Sequence, residues 1–512
     1  MSYQTMPWTM SALSAQAAAQ FGSRTALICG GRTLSFIEID QLAARFAGAL
    51  AALGVKPGER VTLCSPNCWE WVICYHGVLK LGAVINPVSA MLTAEELVFV
   101  TGDCGARVLI ASHEKALALL PHRAQMPVEH LITLGSEGQG MLSLSCLLER
   151  SAPAVALAAT DPDALCTIGY TSGTTGHPKG AMLSHRNILT SIAMTAQMHL
   201  RTSADTAVSA LPCSHVYGNV VMNAALRYGM TLVLLARFGE AEVLGAIRDH
   251  KATVFDGVPT MFMYLLAYPE RGAYDLSSLR KCTVGGQTMP VAKIEEVEAA
   301  FGCPLLELWG MTEVGGPATT HPLYASNRHG SIGIALPGTE CRIADVDDPQ
   351  VSLAAGEVGE LLVRGPLVMQ GYYGNPAATA EVMAEGGWLR TGDLARMDQD
   401  GYLYVVDRKK DLIITGGYNI YPAELERVLA AHPGVAMVAV GGRPDALKGE
   451  IATAYIVRKA GAHCSEEAVL AYCREHLAAY KVPRSVRFLP DLPKTSTGKI
   501  MRRALADMQT TK

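Results

Sequence analysis

ERVTLCS (59–65), NCWEWVICYHGVLKLG (67–82), AVINPVS (83–89), TAEELVFVTGDCG (93–105) and ARVLIAS (106–112) follow one another along the chain and alternate in character. The first, third and fifth are short apolar runs that read as strands. The second places Trp71, Cys74, Val78 and Leu81 at helical spacing. The fourth opens with Thr93 and carries Glu96 three residues later, a capping box at the start of a helix. Strand–helix–strand alternation requires crossover connections, so the expectation is an α/β architecture with parallel pairing.

The pattern continues. TAVSALP (206–212), MTLVLLA (230–236), ATVFDGVP (252–259) and KCTVGG (281–286) read as strands with helices between them. A further helix is expected from Pro290, at the first helical position, through Ile294, Val297 and Phe301. No fixed-period repeat is apparent. Near residue 340 the chain becomes hairpin-rich, with GEVGELLVRGP (356–366) and GDLARMDQDGYLYVVD (392–407). Asp400-Gly401 between two alternating runs predicts a tight turn. DLIITGG (411–417), PAELERVLAAH (422–432), VAMVAVGG (435–442), ATAYIVRK (452–459) and SEEAVLAYCREHL (465–477) then suggest a compact βαβ-like unit, a small α+β domain by itself. The charged run Asp407-Arg408-Lys409-Lys410-Asp411 is the candidate linker. The expected fold is therefore α/β: a large multi-subdomain N-terminal domain, 1–409, of layered α/β sheets plus a β-rich subdomain, followed by a small C-terminal domain, 410–512.

Composition narrows the function. With 49% hydrophobic residues, 18% charged residues and a net charge of −4, the chain is globular and carries no long basic run, which argues against nucleic-acid binding. The N-terminus lacks a basic stretch followed by an apolar one, so no signal peptide is expected. No apolar run reaches the roughly 18 residues of a membrane-spanning helix. The 13 cysteines are scattered without C-x-x-C spacing, and Cys64 and Cys68 are the closest pair. They read as buried thiols of a reducing cytoplasm.

The strongest chemical signal is Tyr170-Thr171-Ser172-Gly173-Thr174-Thr175-Gly176-His177-Pro178-Lys179-Gly180, directly after the strand-like Leu165–Gly169. Glycines expose backbone N–H groups, hydroxyls add donors and a lysine adds charge, a mixture that suits a polyphosphate. The spacing is not that of a Walker A loop.

This loop resembles the phosphate-loop signature of the adenylate-forming superfamily, in particular its acyl-CoA synthetase and 4-coumarate–CoA ligase branch. Further motifs follow in the order of that family: Leu211-Pro212-Cys213-Ser214-His215, Leu308-Trp309-Gly310-Met311-Thr312-Glu313, Thr391-Gly392-Asp393, Asp407–Asp411 with Gly416-Gly417-Tyr418-Asn419-Ile420, and Pro493-Lys494-Thr495-Ser496-Thr497-Gly498-Lys499. The resemblance spans essentially the whole chain.

What the resemblance implies is an acid–thiol ligase. ATP and a hydrophobic fatty or aryl acid give acyl-AMP and pyrophosphate, and coenzyme A then gives acyl-CoA and AMP. Thr171, Ser172, Gly173, Thr174, Thr175, Gly176 and Lys179 would hold phosphates, and Glu313 would carry Mg²⁺ beside Thr312. Trp309 stands where the family usually has tyrosine. It keeps a stacking face for adenine but lacks the phenolic hydroxyl. Asp393 and Arg408 would meet the ribose. Gly286, Gln287, Glu307, Leu308, Gly310, Met311 and Val405 complete the expected nucleotide contacts. Lys499 would bridge carboxylate and α-phosphate. Lys410 would be the hinge of a mobile C-terminal domain, whose rotation brings Gly416, Gly417 and Tyr418 to a pantetheine tunnel. The expected acyl pocket comprises His215, Tyr217, Asn219, Val220, Val258, Met261, Val284, Gly285, Gly286 and Met311. His215 sits where amino-acid-activating relatives place an aspartate, and residues 257–264 lack the arginine of malonate-activating relatives. The alternatives are an acyl-AMP ligase that loads a carrier protein and a catalytically silent sensor of acyl-adenylate or nucleotide. A homodimer is one expected assembly; the sequence leaves the oligomeric state open.

Overall fold

The computed structural model describes residues 9–153, 161–171, 178–415, 418–445, 449–495 and 498–507. Ser172, Gly173, Thr174, Thr175, Gly176, Gly416 and Gly417 lie outside the described residues, as does the side chain of Lys410.

The opening stretch forms strands Arg60–Cys64, Val84–Val88 and Ala106–Ala111, separated by helices Trp69–Lys80 and Ala94–Asp103. All pair in parallel, with Arg60–Cys64 between the other two. The Thr93–Glu96 capping box is present in both directions. Cys68 caps the helix Trp69–Lys80, its Sγ accepting the Trp71 N–H at 3.3 Å. These strands belong to an eight-stranded sheet that also holds Leu165–Thr171 and, antiparallel to it, Lys179–Ser184.

A nine-stranded sheet carries the second run of strands. Thr231–Leu234, Thr206–Ser209, Val254–Gly257, Lys281–Gly285 and Leu305–Met311 lie side by side in parallel. Helix Val291–Phe301 follows Lys281–Gly285, with Pro290 as its N-cap rather than its first residue. The N-cap conformation is extended, which a proline also fits.

The largest buried cluster joins residues of both sheets to helices Phe36–Ala52, Trp69–Lys80, His185–Met198 and Val216–Tyr228. A second cluster covers the other face of the nine-stranded sheet with helices Glu240–His250, Pro259–Ala267 and Val291–Phe301. The layers thus run helix, sheet, helix, sheet, helix, the last formed by Ala94–Asp103 and His113–Leu119 over the far face of the eight-stranded sheet, and the cleft described below lies where strand ends of both sheets meet.

The hairpin-rich region is an antiparallel sheet of Glu340–Ala344, Gly359–Arg364, Trp388–Met397 and Met383–Ala384, with Leu403–Arg408 paired to Trp388–Met397. Gly401 takes φ +85° in the turn after Asp400, a left-handed conformation that glycine adopts without strain.

Residues 411–507 build a smaller domain around a sheet of their own. The expected βαβ-like arrangement around Pro422–Ala430 is a split one: Ile413–Thr415 and Val435–Asp445 both run antiparallel to Gly449–Arg458, which lies between them, and so run parallel to each other. Ile413–Thr415, Tyr418–Ile420, Val435–Asp445 and Gly449–Arg458 pair antiparallel. A second crossover joins directly paired parallel strands, as Gly449–Arg458, helix Glu466–His476 and strand Ser485–Phe488. Two residues separate Ile413–Thr415 from Tyr418–Ile420 and three separate Val435–Asp445 from Gly449–Arg458, too few for the crossover a parallel pair needs.

Among the described residues no helix is long and apolar enough to cross a membrane. All thirteen cysteines are free.

Candidate active site

The strand Leu305–Met311 carries Trp309 to its end and hands the chain to the turn Thr312–Val314. Its neighbour Gly316–Thr320 approaches so closely that a Cβ on Gly310 would lie 2.0 Å from the Gly316 carbonyl oxygen. Only glycine fits there. Gly169 plays the same part across the two sheets: its missing Cβ leaves room for Thr312 Cγ2, 2.6 Å from where the Cβ would stand. Thr312 and Glu313 are thereby seated against the strand Leu165–Thr171.

Glu313 is buried. Its Oε1 accepts the Tyr372 hydroxyl at 2.9 Å and the Thr171 hydroxyl at 3.4 Å. The Tyr372 ring lies 5.4 Å beneath Lys179 Nζ, which also stands 3.7 Å from Glu381 Oε2. Burial, followed by the Glu313 carboxylate, holds the Tyr372 phenol well above its ordinary pKa, so it stays a donor. Tyr372 and Glu381 did not emerge from the motifs. The only sequence cue was an aromatic pair, Tyr372-Tyr373, between glycines.

Asp393 lies opposite Arg408 in the antiparallel pair Trp388–Met397 and Leu403–Arg408. Its Oδ1 meets Arg408 Nε at 3.1 Å, and its Oδ2 accepts the Trp309 indole N–H at 2.7 Å. The indole thus supplies a hydrogen bond to the carboxylate expected to hold the ribose, worth about 1.5–3 kcal/mol for a charged acceptor.

Lys499 reaches this place from the C-terminal domain. A Cβ on Gly286 would lie 2.7 Å from Lys499 Cε, and Gly286 has φ +93°. The backbone conformation demands glycine, and a methyl there would push the end of the Lys499 side chain aside. Burial, then the Arg408 cation, lowers the Lys499 ammonium to about 8, against the opposing pull of Asp393. His215 is the N-cap of helix Val216–Tyr228, where Nδ1 accepts the Tyr217 N–H at 3.3 Å. Burial, then Lys499, pushes His215 down to about 3. The ring is neutral, so the proton sits on Nε2 and can be donated to an anion.

Tyr217, Val220, Val258 and Met261 join one apolar cluster, with Met311 packed against it. Val284 does not belong with them. It packs with Phe255, Phe262 and Ile294 on the other face of its strand, because side chains alternate and Thr283 takes the Tyr217 side at 2.5 Å. Gly285 faces Leu308, whose Cδ1 lies 2.3 Å from where its Cβ would stand. Asn219 is held inside the protein: Oδ1 accepts from Tyr75 at 3.1 Å and from Asn223 at 2.9 Å, and Nδ2 donates to the Cys213 carbonyl at 3.3 Å.

Two expected nucleotide residues have other partners. The Glu307 carboxylate is buried and accepts the Gly330 N–H at 2.9 Å. Gln287 Oε1 accepts the Ile500 N–H at 3.0 Å, next to Lys499. Val405 packs half-buried against the large core. Tyr418 is exposed and stacks on Tyr480 at 4.8 Å.

Two stretches match family models: residues 14–373 match "AMP-binding enzyme" and residues 424–499 match "AMP-binding enzyme C-terminal domain". The chain is 35% identical to the long-chain-fatty-acid–CoA ligase of Bacillus subtilis (strain 168), over 98% of this chain and 95% of that one. It is 37% identical to the feruloyl-CoA synthase of an Amycolatopsis species, over 93% and 94%. An anthranilate CoA ligase solved with anthranoyl-AMP superposes with a TM-score of 0.93 at 29% identity, covering 99% of each chain. A cleft that gathers two lysines, a buried acidic residue and an indole-tied aspartate under a C-terminal domain is thus found in a chain that belongs to the AMP-binding enzyme family, as an AMP-forming acid–CoA ligase.

Proposed function

We propose that this enzyme joins a hydrophobic carboxylic acid to coenzyme A, with Lys499 as the charge on which the first half-reaction depends. The observation that carries the reading is the position of Lys499 beside Gly286, within the electrostatic reach of Asp393, Arg408 and His215.

In the first half-reaction a carboxylate oxygen bonds to the α-phosphorus of ATP, and the bond to pyrophosphate breaks. Both reactants are anionic, so rate depends on neutralising charge that develops between them. Lys499 supplies the neutralising positive charge. Neutral His215 donates to the acid's carboxylate and orients it. Lys179 and Thr171 hold the departing phosphates, with the loop Ser172–Gly176 between them. Asp393, held by Trp309 and Arg408, accepts the ribose hydroxyls. Glu313 fits Mg²⁺: a buried carboxylate whose hydrogen bonds come from neutral hydroxyls, not from a cation, among the described residues. When bound, the ion would neutralise phosphate charge. In the second half-reaction the CoA sulfur bonds to the acyl carbon, AMP leaves and the thiol proton is released. The domains 1–409 and 410–512 would turn about Lys410 between the two, bringing Gly416, Gly417 and Tyr418 to the thiol path.

Apolar Val220, Val258, Met261 and Met311, with Tyr217, favour a hydrophobic acid, and the nearby His215 offers no negative charge to an ammonium. The thirteen free thiols fit a reducing cytoplasm.

The test is AMP release from ATP and Mg²⁺ with malonic, octanoic, dodecanoic, hexadecanoic, benzoic, cinnamic and ferulic acids, each with and without CoA. CoA-dependent AMP release with one apolar class, and not with malonate, is the expected result. Release that ignores CoA, or a preference for malonate, overturns the proposal.

A further inference from the structure

The helix Pro259–Ala267, which carries Met261 of the expected acyl pocket, also touches the segment that carries Lys499 at separate points. Thr260 and Tyr264 are four residues apart and so share one helical face. Thr260, which is 2% exposed, donates from Oγ1 to the Gly498 carbonyl at 2.8 Å. The approach is tight: a Cβ on Gly498, at φ +80°, would stand 3.0 Å from Thr260 Oγ1. One turn on, the Tyr264 hydroxyl donates to both carboxylate oxygens of Asp491, each at 2.9 Å. Asp491 also pairs with Lys494, whose Nζ lies 5.0 Å over the Tyr264 ring.

The described residues on either side of Lys499 are held by further hydrogen bonds. The Thr495 N–H donates to the Lys499 carbonyl at 2.7 Å, and the Lys499 N–H donates to Thr495 Oγ1 at 3.1 Å. The Ile500 N–H is taken by Gln287. Lys499 therefore lies between an anchored Gly498 and an anchored Ile500, and its closed loop is fixed at its base through Asp491. A long lysine side chain has many rotamers, and ordering it costs entropy. Holding its backbone at both flanks removes much of the remaining freedom.

We propose that Thr260 and Tyr264 are positioning residues that hold the loop so that Lys499 stays in the cleft during adenylation, and that they act on that half-reaction alone. The proposal rests on the reading of Lys499 given above. Neither side chain touches substrate in this role. Both act through the backbone of the catalytic loop, and transfer to CoA, which does not use the Lys499 charge, does not need them.

The test uses the full-length enzyme with the best acid of the panel above. Adenylation is read as acid-dependent exchange of pyrophosphate into ATP. Thiolation is read as acyl-CoA formed from the pre-made acyl-AMP of that acid. Lys499→Ala serves as the reference: loss of exchange with thiolation intact upholds the role of Lys499 itself, and any other pattern removes the reading on which the proposal rests. With that reference in place, Thr260→Val combined with Tyr264→Phe is expected to lower exchange about tenfold, the effect of two lost hydrogen bonds, while thiolation is unchanged. Thr260→Ser combined with native Tyr264 restores wild-type exchange. Unchanged exchange in the double variant, or an equal fall in both half-reactions, overturns the proposal.

Discussion

Lys499 illustrates how one side chain's chemistry depends on its neighbours. Apolar burial and Arg408 favour its neutral form, Asp393 favours the charged one, and the balance leaves the ammonium at about 8. Adenylation needs the charged form, so its kcat/KM should hold below that pH and fall as pH rises through about 8, since this parameter reports the free enzyme. Pyrophosphate exchange across pH 6.5–9.5 at about constant ionic strength checks it. Lys499→Arg, which keeps its charge throughout, should lower the rate and abolish the fall. A fall that persists in the arginine variant would assign the titration elsewhere. Trp309 is the other departure at this scale. A tryptophan in place of the family's tyrosine looks like the loss of a hydroxyl, but its indole N–H is bonded to Asp393. A polar contact to the aspartate is thus kept by the indole nitrogen.

At the scale of elements, glycines set how closely strands come together. The pairing of Leu305–Met311 with Gly316–Thr320 shifts register between Trp309 and Gly310. The methyl group of Gly310→Ala would meet the Gly316 carbonyl oxygen at 2.0 Å, and neither backbone has a rotamer with which to yield. The strands must separate, taking Trp309 and Glu313 with them. The variant should lose about 1–3 kcal/mol of stability, the usual range for overpacking, together with most of its ATP affinity. Thermal unfolding and nucleotide titration measure the two. Wild-type values for both would show that the contact relaxes without cost.

At the scale of the whole molecule, a buried carboxyl of the large domain lies within electrostatic reach of the small one. Glu307, in the large domain, is raised to about 8 chiefly by burial. The Gly330 N–H and Arg427, from the small domain, pull it down, and Glu298 adds to the rise. A carboxyl whose pKa is raised on folding contributes its full stability below the unfolded value near 4.5, and that contribution is lost as pH rises through about 8. Glu307→Gln keeps an acceptor for Gly330 and never ionises. It should therefore match the wild type near pH 4.5 and exceed it by about 1–3 kcal/mol at pH 8, the desolvation cost of the carboxylate being absent. Denaturant unfolding at the two pH values is the check, and a gap that does not change with pH would refute it.

The sequence by itself determined whatever depends on neighbours along the chain. Thr93 and Glu96 are three residues apart, so their capping box was legible, as were the turn at Gly401 and the alternation of strands and helices. The motif resemblance then carried Lys179, Glu313, Asp393 and Lys499 as candidates. Only the tertiary structure decided which of the candidate residues share the cleft. It turned Val284 to the far side of its sheet, engaged Glu307 with Gly330 and gave Asn219 to internal hydrogen bonds. It also brought in Tyr372, Thr260 and Tyr264, whose partners are 59, 238 and 227 residues away. The physical reason is range. Propensity, capping and turn geometry act over a few residues and leave a local trace, whereas a hydrogen bond between distant segments exists only once packing has placed both ends.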